Sequence, residues 1–107
     1  METYGSPRVG DRMFSKWFQE IYPNTFHPRV THGKDPVPHL PPKDWAFEHV
    51  QTEVFYEGSM KKGYKICNDA NGEDNNCSNK YLIDADVIDH VSYYDIDFSA
   101  VVLACQW

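Results

Sequence analysis

One proline-rich segment constrains this chain more than any other part of its sequence. Residues 32–42 read His-Gly-Lys-Asp-Pro-Val-Pro-His-Leu-Pro-Pro and follow a β-prone run. The four prolines fix four backbone φ angles and remove four amide donors, so the segment is expected to be a stiff loop. A stiff loop after a strand is suited to holding one side chain in place, and Asp35 stands near its start.

A second segment, residues 88–93, reads Ile-Asp-His-Val-Ser-Tyr. Asp35 followed by His90 matches the order in which Ser…Asp…His hydrolases present the last two members of their triad. The G-x-S-x-G turn of such enzymes does not occur in Met1–Trp107. The pair therefore predicts the acid and the base of a triad whose serine lies elsewhere. The alternatives are a turn aspartate before proline and an ordinary loop or helix-end histidine.

The composition bounds the class of protein. The chain has 107 residues, 41% of them hydrophobic and 15% aromatic, which is typical of one small globular domain at most. Its formal net charge of -6 argues against a nucleic-acid partner, because phosphate binding needs clustered lysine and arginine. No apolar run reaches the length of a transmembrane segment, and the first residues do not resemble a signal peptide.

Apolar periodicity predicts one amphipathic helix over residues 11–22. Asp11 is positioned to cap its first amides, and Pro23 ends it. The apolar side chains that recur at helical spacing are Met13, Phe14, Trp17, Phe18 and Ile21.

Composition and turn residues predict the strands. Pro28 would mark an edge or a bulge in its strand, because proline lacks the ladder donor. Residues 64–67 are expected to pair back on the preceding strand as a hairpin. The expected strands and the last apolar run are residues 2–4, 25–32, 47–57, 64–67 and 98–103.

Residues 68–79 are polar and show no apolar period, which predicts a solvated loop. A calcium loop counted from Asp69 would need glycine and glutamate where Asp74 and Lys80 stand. Asn76-Cys77-Ser78 matches a glycosylation sequon, a short pattern that arises often by chance.

Five segments, taken in order, resemble the class 3 lipases, the fungal lipase-like family. The first resembles the segment that follows the strand after the catalytic serine in that family. The others resemble its catalytic aspartate loop, a histidine-bearing strand, a small disulfide loop and the catalytic histidine motif. These segments are residues 3–10, 35–42, 47–50, 67–79 and 89–94.

The resemblance implies that residues 1–107 are the C-terminal segment of an α/β-hydrolase domain, with an incomplete sheet and without the nucleophile half. It implies action on acylglycerol or other lipid esters, with Asp35 orienting His90 and His90 as the general base. It also implies an acyl-binding role, with core packing as the alternative, for five apolar residues: Val37, Leu40, Val87, Ile88 and Val91.

The resemblance further implies a disulfide between Cys67 and Cys77 and an extracellular or secretory location. Cys105 then pairs with a cysteine near the family's N-terminus, or stays a buried free thiol. No cofactor is implied. A metal site built from the histidines is disfavoured, because their spacing fits no ligand motif, and His39 is expected to make a structural hydrogen bond. The histidines concerned are His27, His32, His39, His49 and His90.

Two functions remain open at this point. The first is a lipase segment that supplies Asp35 and His90 and is completed by another polypeptide carrying the serine. The second is a catalytically inactive, lipase-like structural subunit of a larger assembly. In either case an exposed sheet edge and an uncovered helix face are expected to contact that other polypeptide.

Overall fold

Parallel pairing of three short strands forms the central sheet of the protein. The computed structural model describes residues 1–23, 26–68 and 72–99. Within these ranges the strands are β1 (Thr3–Tyr4), β2 (Gly10–Asp11), β3 (Arg29–His32), β4 (Phe47–Glu48), β5 (Glu53–Tyr56), β6 (Lys65–Ile66), β7 (Ser92–Tyr93) and β8 (Ile96–Asp97), and the helices are α1 (Arg12–Ile21) and α2 (Val87–His90).

The main sheet has the strand order β1-β3-β5-β6, in which the first three strands are parallel and β6 is antiparallel. Val30 stands opposite Val54, and both pack with Tyr93 on one face of the sheet. Phe55 points to the other face, against the Cys67–Cys77 bridge. Successive strand residues point to opposite faces, so neighbours in β5 serve two separate cores. The predicted first strand and hairpin are confirmed.

Helix α1 confirms the periodicity prediction. Asp11 is its N-cap, and its carboxylate accepts the Phe14 amide hydrogen at 2.8 Å. Much of the apolar stripe stays in solvent, because Met13 and Trp17 are exposed while Phe14 is half-buried. No helix in the described ranges is both long and apolar enough to span a bilayer.

The single strand predicted over residues 47–57 is wrong, because the structure divides it. Strand β4 pairs with β2 in a separate two-stranded sheet, whereas β5 joins the main sheet. Between them the backbone is bonded by buried side chains rather than by a strand ladder. Arg29 donates to the Val50 carbonyl at 2.6 Å, and Ser15 donates to the His49 carbonyl at 2.9 Å. Composition alone does not reveal such contacts.

Two further expectations need correction. Strand β3 begins at Arg29, after Pro28, and it is a central strand, so this proline marks neither an edge nor a bulge. The stretch of residues 68–79 is not wholly solvated, because Glu73 and Asn79 are buried. Expectations for Thr25, for residues 69–71 and for residues 100–107, Cys105 among them, lie outside the described part of the chain.

The disulfide generates a stability prediction. Cys67 and Cys77 are joined at an S–S distance of 2.04 Å across a sequence separation of 10. Closing a loop of this length restricts the unfolded chain by about 2.5–3 kcal/mol on the loop-entropy model. Replacing both cysteines by serine should lower the free energy of unfolding by that amount in urea titrations. A loss below about 1 kcal/mol would contradict the prediction.

Candidate active site at the carboxyl edge of the sheet

The carboxyl ends of the three parallel strands meet at one edge of the sheet. Gly5 follows β1, the turn at Gly33 follows β3, and Glu57 follows β5. In α/β sheets this is the edge where loops gather functional side chains. Asp35 and His90 both lie here.

The turn after β3 buries the carboxylate of Asp35. Gly33 adopts a φ of +48°, a left-handed conformation that suits glycine, and donates its amide hydrogen to the Tyr56 carbonyl at 2.7 Å. The Asp35 amide then donates to the His32 carbonyl at 3.0 Å. This turn leaves Asp35 only 2% exposed, at the inner side of the proline-rich loop.

Helix α2 carries His90 and is bonded to the same turn. Asp86 caps the helix by accepting the Ile88 amide hydrogen at 2.9 Å, and its own amide donates to the Lys34 carbonyl at 2.8 Å. The Lys34 amide donates in return to Asp89 at 2.7 Å. The turn that carries Asp35 is therefore bonded to the helix that carries His90 through both the amide and the carbonyl of Lys34.

The imidazole of His90 contacts the carboxylate of Asp35. Nδ1 lies 3.0 Å from each carboxylate oxygen. Because a carboxylate accepts, Nδ1 must be the donor, which leaves Nε2 as the nitrogen that can take a proton. The His90 side chain is 36% exposed and that of Asp35 is 1% exposed. The arrangement therefore pairs a buried carboxylate with a partly exposed imidazole.

Tyr93 completes the shell around the carboxylate. Its hydroxyl donates to Asp35 Oδ2 at 2.6 Å, and the Val37 amide donates to Oδ1 at 2.9 Å. Burial, together with the hydrogen bond to Asp35, raises the pKa of the Tyr93 hydroxyl, so it stays protonated as a donor. The sequence alone assigns Tyr93 no role, although its position three residues after His90, inside the histidine motif, is a usable signal.

Gly5 was also missed. Its φ is +59°, and an added Cβ would lie 2.6 Å from Asp35 Oδ2, 2.9 Å from the Tyr93 hydroxyl oxygen and 3.0 Å from His90 Nδ1. These separations are shorter than ordinary van der Waals contacts. Only glycine lets the end of β1 approach the Asp35–His90 pair this closely.

Apolar residues flank Asp35 and His90 in the sequence. Leu40, Val87 and Ile88 are 52%, 68% and 71% exposed, and the last two belong to the helix that bears His90. Within the described residues Val87 and Ile88 do not pack in a core, and both interpretations of these two residues stay predictions. Val37 and Val91 are half-buried. An acyl-lining role for the five residues stays a prediction.

The other histidines are structural in different ways. Nε2 of His49 donates to the Pro38 carbonyl at 2.6 Å, whereas neither ring nitrogen of His39 has a hydrogen-bond partner within the described residues. The expected hydrogen bond of His39 is therefore wrong. Burial lowers the pKa of both imidazoles, and Arg8 lowers that of His39 further. Both rings are thus held neutral near neutral pH.

The structure does not gather the histidines into a metal site. Among the described residues, the group with three possible metal ligands close together is Glu53, Cys67 and Cys77. Both sulfurs of that group are joined in the disulfide and carry no thiolate.

Comparisons with known proteins find similarity to lipases. The family model described as "Lipase (class 3)" matches residues 1–45. A "Secreted mono- and diacylglycerol lipase 1" of Fusarium solani is 33% identical over 111 residues, covering 98% of this chain and 32% of that protein. Lipase II from Rhizopus niveus superposes with a TM-score of 0.81 at 31% identity, covering 90% of this chain and 35% of that one. A triacylglycerol lipase structure superposes with a TM-score of 0.79 at 30% identity, over 90% and 35% of the two chains.

These similarities first define the fold as the C-terminal part of an α/β-hydrolase, with a partial sheet. The chain belongs to the class 3 lipase family, as its five motifs predicted. It spans about a third of the length of the relatives named above.

The position of Gly5 can be tested by substitution. Gly5→Ala should displace the Asp35–His90 pair and lower the free energy of unfolding by at least about 2 kcal/mol, because of the contacts and the left-handed φ. Gly58→Ala is the matched control, since an added Cβ there meets no heavy atom within 4 Å. Chemical denaturation of both variants measures the difference, and equal losses would refute the argument.

The buried neutral imidazoles predict an acid-sensitive fold. The pKa values of His39 and His49 are lowered on folding, so the unfolded chain binds more protons below its own histidine pKa of about 6.5. Stability should therefore be complete above about pH 6.5 and fall as the pH decreases toward the folded-state values. In His49→Gln the slope between about pH 6.5 and pH 5 should be shallower by roughly 1 kcal/mol per pH unit. Denaturation midpoints across that range measure it, and unchanged slopes would count against it.

Proposed function

We propose that this chain supplies the acid and the base of a Ser-Asp-His triad in a carboxylic ester hydrolase that acts on acylglycerols. The observation that carries the proposal is the contact of His90 Nδ1 with both oxygens of the buried Asp35, at 3.0 Å. The class 3 lipase relatives support the substrate class. The printed title of one solved relative states that a serine protease triad forms the catalytic centre of that lipase.

In the proposed mechanism, Nε2 of His90 removes the proton from a serine hydroxyl as that oxygen attacks the ester carbonyl. Asp35 fixes the ring through Nδ1 and stabilises the imidazolium that forms. His90 then returns the proton to the leaving alcohol. Tyr93 and the Val37 amide hold the carboxylate in place during both steps. The five apolar residues that flank Asp35 and His90 in the sequence are proposed to contact the acyl chain, because apolar walls suit it.

The serine is proposed to come from a polypeptide segment that completes the domain, with residues 1–107 forming its C-terminal part. Strand β1 supports this, because its amides at Thr3 and Gly5 bond toward β3, and no strand of the described residues pairs with its other edge. Parallel sheets are normally covered and extended on both sides. Met13 and Trp17 of α1 are also exposed and provide further apolar surface for such a segment.

An extracellular or secretory location is also proposed. The printed name of the Fusarium relative includes the word "Secreted". The Cys67–Cys77 disulfide is of a kind that persists in oxidising compartments.

On its own, the 107-residue chain should not hydrolyse esters, because acid and base alone lack a nucleophile. Purified chain and a short-chain ester should give no turnover above buffer. Turnover that His90→Ala abolishes would show this expectation to be wrong.

A chimera tests the proposal directly. Residues 1–107 replace the matching part of the Rhizopus niveus lipase, which then supplies the rest of the domain. The chimera should hydrolyse a short-chain triacylglycerol, and Asp35→Asn should lower kcat by about 10³–10⁴ through the wrong histidine tautomer.

Asp44→Asn is the control, since Asp44 is exposed and lies in a separate short turn. It should leave kcat within about twofold, as expected for a surface position. A folded chimera without activity would instead favour the inactive structural subunit.

A further inference from the structure

Resting on the proposed function, we propose that Arg8 and Glu73 are positioning residues for Asp35. They form a buried ion pair that clamps the proline-rich loop and anchors it to the disulfide-closed segment.

The loop has too few amide donors to form hydrogen bonds with all of its own carbonyls. Residues 36–42 contain four prolines, so only three amides can donate. The Val37 amide serves Asp35, and the other two close the short 3-10 turn Val37–His39. The carbonyls of residues 38–41 must find donors outside the loop, because an unpaired buried carbonyl costs about 1–3 kcal/mol.

Arg8 supplies most of those donors. Its amide donates to the Leu40 carbonyl at 2.7 Å. Its guanidinium Nη1 donates to the carbonyls of His39 at 2.6 Å and Pro41 at 3.0 Å. One residue thus holds three successive carbonyls, and His49 holds the fourth, that of Pro38.

Glu73 holds Arg8 in turn. The guanidinium donates to both carboxylate oxygens, at 2.7 and 3.0 Å, and the two side chains are 0% and 2% exposed. Glu73 also accepts from the Asn79 side chain at 2.8 Å and from the His49 amide at 2.9 Å. Burial alone would raise the pKa of this carboxyl, but these donors together hold it well below its usual range.

Arg8 and His49, the two residues that bind the loop carbonyls, are therefore both bonded to the Glu73 carboxylate. Glu73 orients Arg8, which binds the end of the loop, and it fixes the backbone of His49, whose ring binds the middle. Asp35 and its donor Val37 form the start of the same loop. Glu73 itself lies inside the segment closed by the Cys67–Cys77 disulfide. A slack clamp would let Val37 and Asp35 move relative to His90.

The test compares two carboxylates of that segment. Glu73→Gln weakens the clamp. Asp74→Asn removes an equal charge from a carboxylate that, among the described residues, accepts from the nearby backbone amides of Asn68 and Asn76. The readout is the proton NMR resonance of His90 Nδ1–H and its exchange with water. Exchange should quicken by about tenfold or more in Glu73→Gln and by less than about twofold in Asp74→Asn.

The same pair in the lipase chimera gives a second readout. Glu73→Gln should lower kcat by about tenfold, because Asp35 is misplaced, whereas Asp74→Asn should leave kcat within about twofold. If Glu73→Gln does not fold, Arg8→Lys takes its place, since it keeps the positive charge and the backbone bond to Leu40 but removes the paired guanidinium contacts with Glu73 and the guanidinium bonds to the loop carbonyls.

The outcomes separate the two proposals. Absence of the Nδ1–H resonance in the unaltered chain would overturn the Asp35–His90 assignment, and this inference with it. A resonance that is present but exchanges equally in Glu73→Gln (or its substitute) and Asp74→Asn would overturn the positioning role alone. Faster exchange confined to the clamp variant, with the kcat effect, would support it.

Discussion

The buried carboxylate of Asp35 is the constraint on which the rest of the site depends. A charge so enclosed needs hydrogen-bond donors, and three converge on it from His90, Tyr93 and the Val37 amide. Each donor comes from a different element: the end of α2, strand β7 and the proline-rich loop. The approach of Gly5 completes the enclosure. The elements at the carboxyl edge are therefore arranged around the Asp35 carboxylate. The hydrogen bond to this carboxylate also orients the His90 ring.

The stiffness of the proline-rich loop has a cost elsewhere in the chain. Prolines remove amide donors, so a guanidinium must enter the interior to bond the loop carbonyls, and a carboxylate must follow to neutralise it. Breaking such a buried pair commonly costs about 3–5 kcal/mol, because one charge is left uncompensated. Arg8 and Glu73 are 65 residues apart in the sequence, so this pair also joins an early and a late part of the chain. Stability and the geometry of the acid thus share one network.

Sequence reasoning reached the family, the fold class, helix α1 and the proximity of Asp35 to His90, because these follow from ordered motifs and helical periodicity. It failed where tertiary contacts override local pattern. The segment from Phe47 to Tyr56 is rich in Val, Phe, Tyr and Thr, yet Ser15 and Arg29 bond its middle backbone and divide it. Glu73 stands in a polar run that looks solvated until Arg8 is placed beside it. The role of Gly5 depends on groups far along the chain, which no local pattern specifies.

The chain is a partial sheet of the α/β-hydrolase fold that nonetheless brings Asp35 and His90, the proposed acid and base of a triad, into contact. The central claim is that the Asp35 carboxylate accepts a hydrogen bond from the Nδ1–H group of His90. The most direct measurement is the tautomeric state of His90 by ¹⁵N NMR of the purified chain at neutral pH. The account predicts a protonated Nδ1 and an unprotonated Nε2. A spectrum with the proton on Nε2 and none on Nδ1 would contradict it.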